Sequence, residues 1–138
     1  ILEGKNLLIT GVLTDSSIAF HVARLAQEQG ANVVLSSFGR AAGLTKRIAG
    51  RLPTEAPLVQ LDVTNDDDLA NLASEVQKHV PYLDGVLHSI AFAPEAALGG
   101  NFLNTKWDDV KVALEVSAFS FKSLGIATLP LMKERGGG

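Results

Sequence analysis

The sequence predicts an α/β fold of three layers, with helices on both faces of a doubly wound parallel sheet. Short apolar runs of strand length alternate along the chain with segments whose apolar residues repeat at helical spacing. Strands that alternate with helices pair in parallel through right-handed crossovers, which place helices on both faces. A chain of 138 residues that is 46% hydrophobic has the size of one domain and can bury a core. The chain contains no repeat or internal linker, so we expect a single domain.

The first strand and helix lie near the start of the chain. The apolar run Asn6–Thr10 predicts a strand buried on both faces and ended by Gly11. Ser16 and Ser17 stand where the N-cap of a helix belongs, and Gly30 is typical of a helix end. The stripe that this helix is expected to turn toward the core consists of Ile18, Val22, Leu25 and Ala26.

A second unit repeats this pattern. Its buried strand is predicted at Asn32–Ser36. The following helix is marked by Leu44, Ile48 and Leu52 at helical spacing. We expect it to end before Pro53, because proline disfavours helical conformation at the residue that precedes it.

The third unit has a strand at Pro57–Leu61 and a helix with a clear start. Thr64 or Asn65 is expected to cap this helix. Asp66–Asp68 form its first turn, where negative side chains complement the helix dipole. Its apolar stripe consists of Leu69, Leu72, Ala73 and Val76.

The fourth unit has the longest helical region. A strand is predicted at Asp84–Ile90, followed by a loop with glycine and proline over residues 93–104. Thr105 and Asp108 resemble a capping box. Helical character continues from there to about Met132, with or without an interruption.

Composition excludes several classes of function. The chain has no cysteine, which removes thiol nucleophiles, thiolate metal sites and disulfides and fits a reducing compartment. Its 12 Lys+Arg and 15 Asp+Glu give a formal net charge of −3. These charges are scattered and form no basic stripe, so nucleic acid is not an expected partner. His21, His79 and His88 lie in three different elements without metal-ligand spacing, so we expect no metal site.

No targeting signal or membrane span is expected. The apolar stretches are of strand length, far shorter than the roughly 20 residues that cross a bilayer. The chain begins without a basic segment followed by an apolar one. The cytoplasm is therefore the expected location.

The residues after each strand are the candidates for a site, because ligands bind outside the carboxyl ends of parallel strands. After the first strand, Gly11 permits a tight turn, and Ser17 offers a hydroxyl beside the free N–H groups of a helix start. Ala19 is small enough to let the helix approach the strand. These residues fit a phosphate site, although this is neither G-x-G-x-x-G nor a P-loop. They fit an ordinary strand–helix turn equally well.

Two residues after the second strand indicate a nucleotide. Phe38 fits stacking on an adenine, although a core phenylalanine is the alternative. Arg40 would meet a 2′-phosphate and indicate NADP. The alternative for Arg40, a solvated arginine at a helix start, is the stronger one.

The third and fourth strand ends add a carboxylate and small residues. Asp62 can accept a hydrogen bond from an adenine amino group while Val63 covers the ring. A capping role is its alternative, but Thr64 and Asn65 already cap the next helix, which leaves Asp62 free for a ligand. Ala91 and Ala93 would let a flat ring approach the backbone. An ordinary strand-to-loop transition is the alternative there.

Four segments together carry a resemblance to a known family: Thr10–His21, Phe38, Leu61–Val63 and His88–Ala93. They resemble the enoyl-(acyl carrier protein) reductases of the divergent short-chain dehydrogenase/reductase branch, and most of all the actinobacterial, mycobacterial-type members. The G-x-x-x-x-x-S-x-A turn from Gly11 to Ala19 is specific to that branch. The resemblance runs from Leu2 to about Met132. It implies a Rossmann-type sheet truncated after the fourth strand and the helices that follow it.

The resemblance also implies NAD(H) along the strand ends. Gly11, Ser17 and Ile18 would hold the pyrophosphate side, and Phe38, Asp62 and Val63 would hold the adenine. The remaining implied contacts are Ile90 and Ala91 by the nicotinamide ribose, Val116 on the cofactor and Ala93 at the substrate edge. The family prefers NADH where an aromatic residue replaces the ribose-binding acid, as Phe38 does. This weakens the interpretation of Arg40 as an NADP residue.

In the family, a hydride from NADH adds to C3 of a trans-2-enoyl thioester during fatty-acid biosynthesis. The thioester is carried by acyl carrier protein, or by coenzyme A in assays. A tyrosine hydroxyl and a lysine help to stabilise and protonate the enolate. Members are typically homotetramers, partly through the long helices that correspond to Asp108–Met132.

The chain departs from the family at its catalytic pair, Tyr-x-x-x-x-x-x-Lys. Its only tyrosine is Tyr82, and the residue seven positions later is Ser89. We therefore assign no catalytic residue and expect the chain alone to be inactive. The absence of Met at position 1 and the Gly136–Gly138 ending lead us to expect residues 1–138 to be the N-terminal, cofactor-binding part of a larger Rossmann domain.

Two alternatives stay open. A carbonyl reductase of the same superfamily would tend to carry Asn-Asn-Ala-Gly where this chain has Ser89–Phe92. A non-catalytic nucleotide-binding or interaction module built on half a Rossmann sheet is the second alternative, and the expected truncation of the domain keeps it open.

Overall fold

The protein, described by a computed structural model over residues 1–100 and 102–136, is a three-layer α/β structure. Asn101, which lies in the predicted loop, and Gly137 and Gly138 of the predicted ending are outside the described residues. The elements are β1 (Asn6–Thr10), α1 (Ile18–Glu28), β2 (Asn32–Ser37), α2 (Gly39–Ala49), β3 (Leu58–Gln60), α3 (Asp66–Gln77), β4 (Gly85–Leu87), α4 (Trp107–Leu114), a π-helical turn (Glu115–Phe119) and α5 (Ser120–Lys133). Two short 3-10 turns, Glu95–Ala97 and Phe102–Asn104, lie in the loop before α4. The predicted fold class is confirmed.

The sheet has the parallel order β3-β2-β1-β4 within the described residues. Side chains alternate between its two faces. Ile9 and Leu35 pack toward α1 and α2, whereas Leu8 and Val34 pack toward α3 and α5. The two cores therefore lie on opposite faces of one sheet, which makes the three layers.

The strand predictions differ from the structure mainly at the sheet edges. β1 matches its prediction, and β2 is one residue longer. β3 and β4 are shorter than predicted because each pairs on one side only. The ladder of β4 ends where Leu87 lies opposite Ile9, so His88–Ile90 continue as loop.

The core-facing stripe predicted for α1 is wrong at two positions. Ile18 and Leu25 are 76% and 51% exposed. The helix instead packs through small side chains, Ala19, Ala23 and Ala26, together with Phe20. Because the alanines face the sheet, the helix axis can lie close to it, and the larger side chains of Ile18 and Leu25 face solvent.

α2 differs in the same way. Leu44 is 45% exposed, whereas Thr45 is fully buried and donates its hydroxyl proton to the carbonyl oxygen of Val12 at 2.7 Å. The helix ends at Ala49, and Leu52 is buried in the turn after it. A polar residue therefore takes a core position because a buried carbonyl needs a donor.

The two later helices have different starts. Asn65 caps α3, as one of the two predicted candidates, and accepts hydrogen bonds from the N–H groups of Asp67 and Asp68. The capping box predicted at Thr105 is wrong. The N-cap of α4 is Lys106, because its carbonyl oxygen accepts the first helical hydrogen bonds, from Asp109 and Val110.

The helical stretch Trp107–Lys133 is continuous for 27 residues. The π-helical turn interrupts its α-helical geometry without ending the helix. By length and composition alone the stretch could cross a membrane. The expectation that apolar stretches are only of strand length is wrong here, because charged residues interrupt the apolar runs without interrupting the helix. A single such helix is weak evidence of a membrane span, since core helices of soluble proteins can have the same length and composition.

A charged cluster ties together the amino ends of β1 and β4. Asp84, 10% exposed in its side chain, accepts from the N–H of Asn6 at 2.9 Å and pairs with Lys5 at 3.0 Å. Arg135 approaches it at 3.7 Å. The Asn6 N–H holds the pKa of Asp84 below its ordinary value. Burial opposes this effect, and the Lys5 and Arg135 charges reinforce it.

Candidate functional site

A cavity of about 460 Å³ lies at the carboxyl ends of the strands. All four strand ends contribute to its wall, together with the start of α2 and the helical stretch after the long loop. The lining residues are Gly11, Leu13, Ser36, Ser37, Phe38, Ala41, Leu61, Asp62, Val63, Thr64, Ser89, Ile90, Ala91, Phe92, Val112 and Val116. This is the position and the size expected of a small-molecule site in an open α/β sheet.

The floor of the cavity is formed where β1 and β4 end. Gly11 has a φ of +82°, and a β-carbon on it would lie 2.0 Å from the carbonyl oxygen of Ser89. The buried hydroxyl of Thr10 donates to the carbonyl oxygen of Leu87 at 2.8 Å and accepts from the N–H of Ser89 at 3.0 Å. Only glycine fits at position 11, both for its backbone conformation and for the close approach of the two strand ends.

The start of α1 lies outside the cavity lining. The Ser17 hydroxyl donates to the carbonyl oxygen of Thr14 at 2.7 Å and accepts from the N–H of Phe20 at 3.3 Å. Its proton is therefore already used in the turn. The N–H groups of Ile18 and Ala19 have no acceptor within the described ranges. An anion at this helix start would be held by main-chain N–H groups and the helix dipole.

Phe38 and Arg40 occupy different environments. The Phe38 side chain is 43% exposed and forms part of the cavity wall. It is therefore not a core phenylalanine. Arg40 is exposed and does not line the cavity. The structure therefore places Phe38 in the cavity wall and leaves Arg40 in solvent.

Asp62 is less free than expected. Its Oδ1 accepts from both the N–H of Thr64, at 2.9 Å, and the hydroxyl of Thr64, at 2.7 Å. Asn65 caps α3, and Thr64 instead donates both of its hydrogen bonds to Asp62. Asp62 therefore closes the local turn. Oδ2 of Asp62 has no hydrogen-bond partner in the part of the chain that the structure describes, and the residue lines the cavity. Val63 beside it is 7% exposed and also lines the cavity.

The loop after β4 forms the wall opposite Phe38 and meets the π-helical turn. Ile90 and Ala91 line the cavity with Val116, whereas Ala93 does not. Ser117, in the same turn, donates to the carbonyl oxygen of Phe92 and accepts from its N–H, each at 3.0 Å. Sequence reasoning missed this contact. Serines at positions 117 and 120 in an otherwise apolar helical segment are the signal that could have found it.

The chemistry of the lining is that of a binding surface. Among the described residues that line the cavity, Asp62 is the only one with an ionisable side chain, and none is a tyrosine, lysine or histidine. Tyr82 precedes β4 at the other end of the sheet, where the guanidinium of Arg135 lies 4.6 Å from its ring centroid. No group of three or more potential metal ligands occurs within residues 1–100 and 102–136. The cavity can hold flat apolar rings and accept a hydrogen bond at Oδ2 of Asp62.

Comparison with known proteins gives a consistent result. The profile of the family described as Enoyl-(Acyl carrier protein) reductase matches residues 11–138. A protein of Mycolicibacterium smegmatis named enoyl-(acyl carrier protein) reductase (NADH) is 48% identical over 99% of this chain and 52% of its own length. One of the same name from Mycobacterium avium is 45% identical over 99% and 52%. A third, from Neisseria meningitidis serogroup B, is 35% identical over 97% and 52%. The chain spans about half the length of these curated relatives.

Proposed function

The chain belongs to the family of enoyl-(acyl carrier protein) reductases, and from that membership we propose that it binds NAD(H) for the reduction of trans-2-enoyl thioesters. The observation that carries this proposal is the meeting of all four strand ends on one largely apolar cavity with a single carboxylate, Asp62. The reaction is a step of fatty-acid biosynthesis, with the acyl group delivered by acyl carrier protein or by coenzyme A.

The residues present fit a dinucleotide. Gly11 lines the cavity where a pyrophosphate would pass, and the N–H groups of Ile18 and Ala19, which have no acceptor within the described ranges, supply donors at the start of α1. Ser17 is the N-cap of α1: its hydroxyl oxygen accepts from the N–H of Phe20, while its proton is donated to the carbonyl oxygen of Thr14. We propose Gly11, Ser17 and Ile18 as the pyrophosphate side of the site.

The adenine is proposed to lie between Phe38 and Val63. The exposed Phe38 ring offers a stacking face, and Val63 offers an apolar one. The free Oδ2 of Asp62 accepts a hydrogen bond from the adenine amino group. Arg40 lies outside this space, and the described lining residues include no lysine or arginine that could pair with a 2′-phosphate, which favours NADH over NADPH.

The nicotinamide end is proposed to lie on the other wall. NADH supplies the hydride that adds to C3 of the enoyl thioester. Ile90 and Ala91 present main chain and small side chains to the nicotinamide ribose, while Val116 closes the cavity from the π-helical turn. Ala93, beyond the lining, is proposed for the edge of the substrate site.

The described residues do not supply the proton that the reaction needs. The lining has no tyrosine or lysine, and removing one preorganised donor from such a site typically costs about 10²–10³ in rate. The chain spans about half of its relatives. We therefore propose that residues 1–138 form the N-terminal, cofactor-binding part of a longer Rossmann domain, whose other part supplies the catalytic pair.

We propose that the protein self-associates through the long helical stretch. We also propose the cytoplasm as its location. Large apolar side chains that are 40% exposed or more lie along it, namely Trp107, Leu114, Phe119, Phe121, Ile126 and Leu129. Exposed apolar surface of this extent is typical of a contact between protein surfaces. A homotetramer built partly on these helices accounts for it.

A second candidate function is a nucleotide-binding module without catalysis. The lack of any acid–base pair in the described cavity lining favours it. A carbonyl reductase of the same superfamily has no observation in its favour.

Titration of the 138-residue chain with NADH, followed by nicotinamide fluorescence, tests the cofactor proposal. We expect saturable binding with a blue-shifted emission, and weaker binding of NADPH. Absence of saturable NADH binding would refute the proposal. Adding a trans-2-enoyl thioester to the chain should oxidise no NADH, whereas turnover would contradict the assignment of the catalytic pair to another part of the protein.

A further inference from the structure

The main chain of Phe92 is held by one side-chain hydroxyl. Residues 88–94 have no regular secondary structure. The N–H and the carbonyl oxygen of Phe92 each lie 3.0 Å from the Ser117 hydroxyl, which accepts from one and donates to the other. No backbone–backbone hydrogen bond involves Phe92 within the described residues. Among the residues that the structure describes, Ser117 therefore supplies both hydrogen bonds to the main chain of Phe92.

A second serine holds the other end of the same segment. Ser120, 1% exposed, lies 2.7 Å from Nε2 of His88 and donates to the carbonyl oxygen of Val116 at 2.6 Å. His88 precedes the loop segment Ser89–Phe92 that lines the cavity, and Phe92 ends it. The helical stretch thus holds the loop at two points, one on each side of Ile90 and Ala91.

The π-helical turn is what allows both contacts. Its extra residue per turn changes the angular positions of the side chains that follow, and π turns occur frequently at functional sites. Val116 reaches the cavity while the next residue, Ser117, reaches the loop. This turn of helix therefore contributes Val116 to the cavity wall and, through Ser117, holds the neighbouring loop segment of the same wall.

We propose that Ser117 is a positioning residue for the nicotinamide end of the site, acting through the main chain of Phe92. This inference rests on the proposed function, because it takes the nicotinamide ribose to lie at Ile90 and Ala91. Ser117 does not itself line the cavity. Its hydroxyl sets how far the Ala91–Phe92 main chain extends toward the cofactor, and so preorganises that wall before binding.

A purely structural role for Ser117 would have different consequences. The Phe92 side chain is 53% exposed and contributes little to the core. Release of its main chain should therefore leave global stability nearly unchanged. A structural defect would affect both ends of the cavity alike, whereas loss of positioning affects only the nicotinamide end.

The test compares two ligands on the 138-residue chain. ADP-ribose contains the adenine and pyrophosphate but no nicotinamide, so it reports the other end of the site. We expect Ser117→Ala to weaken NADH binding about tenfold, or about 1.4 kcal/mol, and to change ADP-ribose binding less than twofold. Amide exchange at Phe92 should become faster. Ser117→Thr keeps the hydroxyl and should restore NADH affinity.

Ser74→Ala is the matched control. Its hydroxyl also donates to a main-chain carbonyl, that of Asn71 at 2.8 Å, but it is exposed on α3 and outside the cavity lining. Ser74→Ala should change neither the affinity for NADH nor the affinity for ADP-ribose. If Ser117→Ala weakens both ligands equally, or neither, the positioning role is overturned while the proposed function stands. If the unmodified chain binds neither ligand, the proposed function fails and the inference falls with it.

Discussion

Gly11 and Ser89 approach so closely that a β-carbon on Gly11 would lie 2.0 Å from the carbonyl oxygen of Ser89. The two residues follow β1 and β4, neighbouring strands of the sheet. Their contact makes the floor of the cavity. It also explains why position 11 needs glycine, a requirement that the backbone φ of +82° imposes independently.

Gly11→Ala is expected to destabilise the protein and to abolish NADH binding. The backbone conformation alone costs a non-glycine residue about 1–3 kcal/mol, and the clash with Ser89 must displace one strand end. Urea denaturation and NADH titration measure the two effects. Gly43→Ala is the control, because a β-carbon there meets nothing within 4 Å in the middle of α2. That change should stabilise the helix slightly, and a mild effect at Gly11 would contradict the close contact.

Asp62→Asn should weaken NADH binding by about 1–3 kcal/mol. Asparagine retains an oxygen for the turn to Thr64, but its amide N–H₂ would replace the carboxylate oxygen that accepts from the adenine. Thermal denaturation is expected to show little change, which separates the binding effect from a folding effect. Unchanged NADH affinity would remove Asp62 from the site.

Asp84→Asn should lower stability at neutral pH by about 1–3 kcal/mol, because the ionised carboxylate accepts a main-chain hydrogen bond and pairs with Lys5. The pKa of Asp84 is lowered in the folded protein. Its contribution is therefore complete above the unfolded value near 3.9 and is lost as the pH falls through the lower folded pKa.

Urea denaturation of both proteins from pH 7 to pH 3 measures the Asp84 effect, and the stability difference should shrink only below about pH 4. Asp15→Asn is the control, since Asp15 and its partner Arg51 are both more than half exposed. It should cost less than about 1 kcal/mol. A difference at Asp84 that disappears already at pH 6 would assign the effect to another group.

Ile126→Glu should reduce self-association without unfolding the chain. Ile126 is 57% exposed on α5, so a charge there meets solvent in a monomer but would be buried in a contact between copies. Sedimentation velocity measures the assembly, and circular dichroism checks the fold. Leu25→Glu, on the exposed face of α1 at 51%, is the control. Equal assembly states for the unmodified chain and both variants would refute the proposed contact.

Local patterns predicted much of the fold because they act over a few residues. The apolar run Asn6–Thr10 matches β1, and Ser17 and Asn65 cap the helices that follow them. The predictions of buried residues were wrong where contact with another element decides which side chain is buried. Leu44 has the spacing of a core residue, yet Thr45 is buried because the carbonyl of Val12 lies beside it.

The residues of the candidate site were likewise predictable where a local pattern marks them and not where a contact decides their role. Gly11, Phe38, Asp62 and Ala91 could be found because each follows a predicted strand within two residues, and all four line the cavity. The turn between Asp62 and Thr64 could not be anticipated, since Asp62 was expected to be free. Ser17 and Ile18 stay predictions as phosphate-binding residues, at the start of α1 beyond the cavity lining.

The alternation of strands and helices, the strand ends that meet at one edge and the family to which the chain belongs could all be inferred from the amino-acid sequence. These follow from short-range periodicity and from motifs that are contiguous in the chain. The hydrogen bond between the Ser117 hydroxyl and the main chain of Phe92, 25 residues earlier, is visible only in the folded chain. That contact depends on where the π-helical turn lies and how the helix packs on β4, which local pattern does not specify.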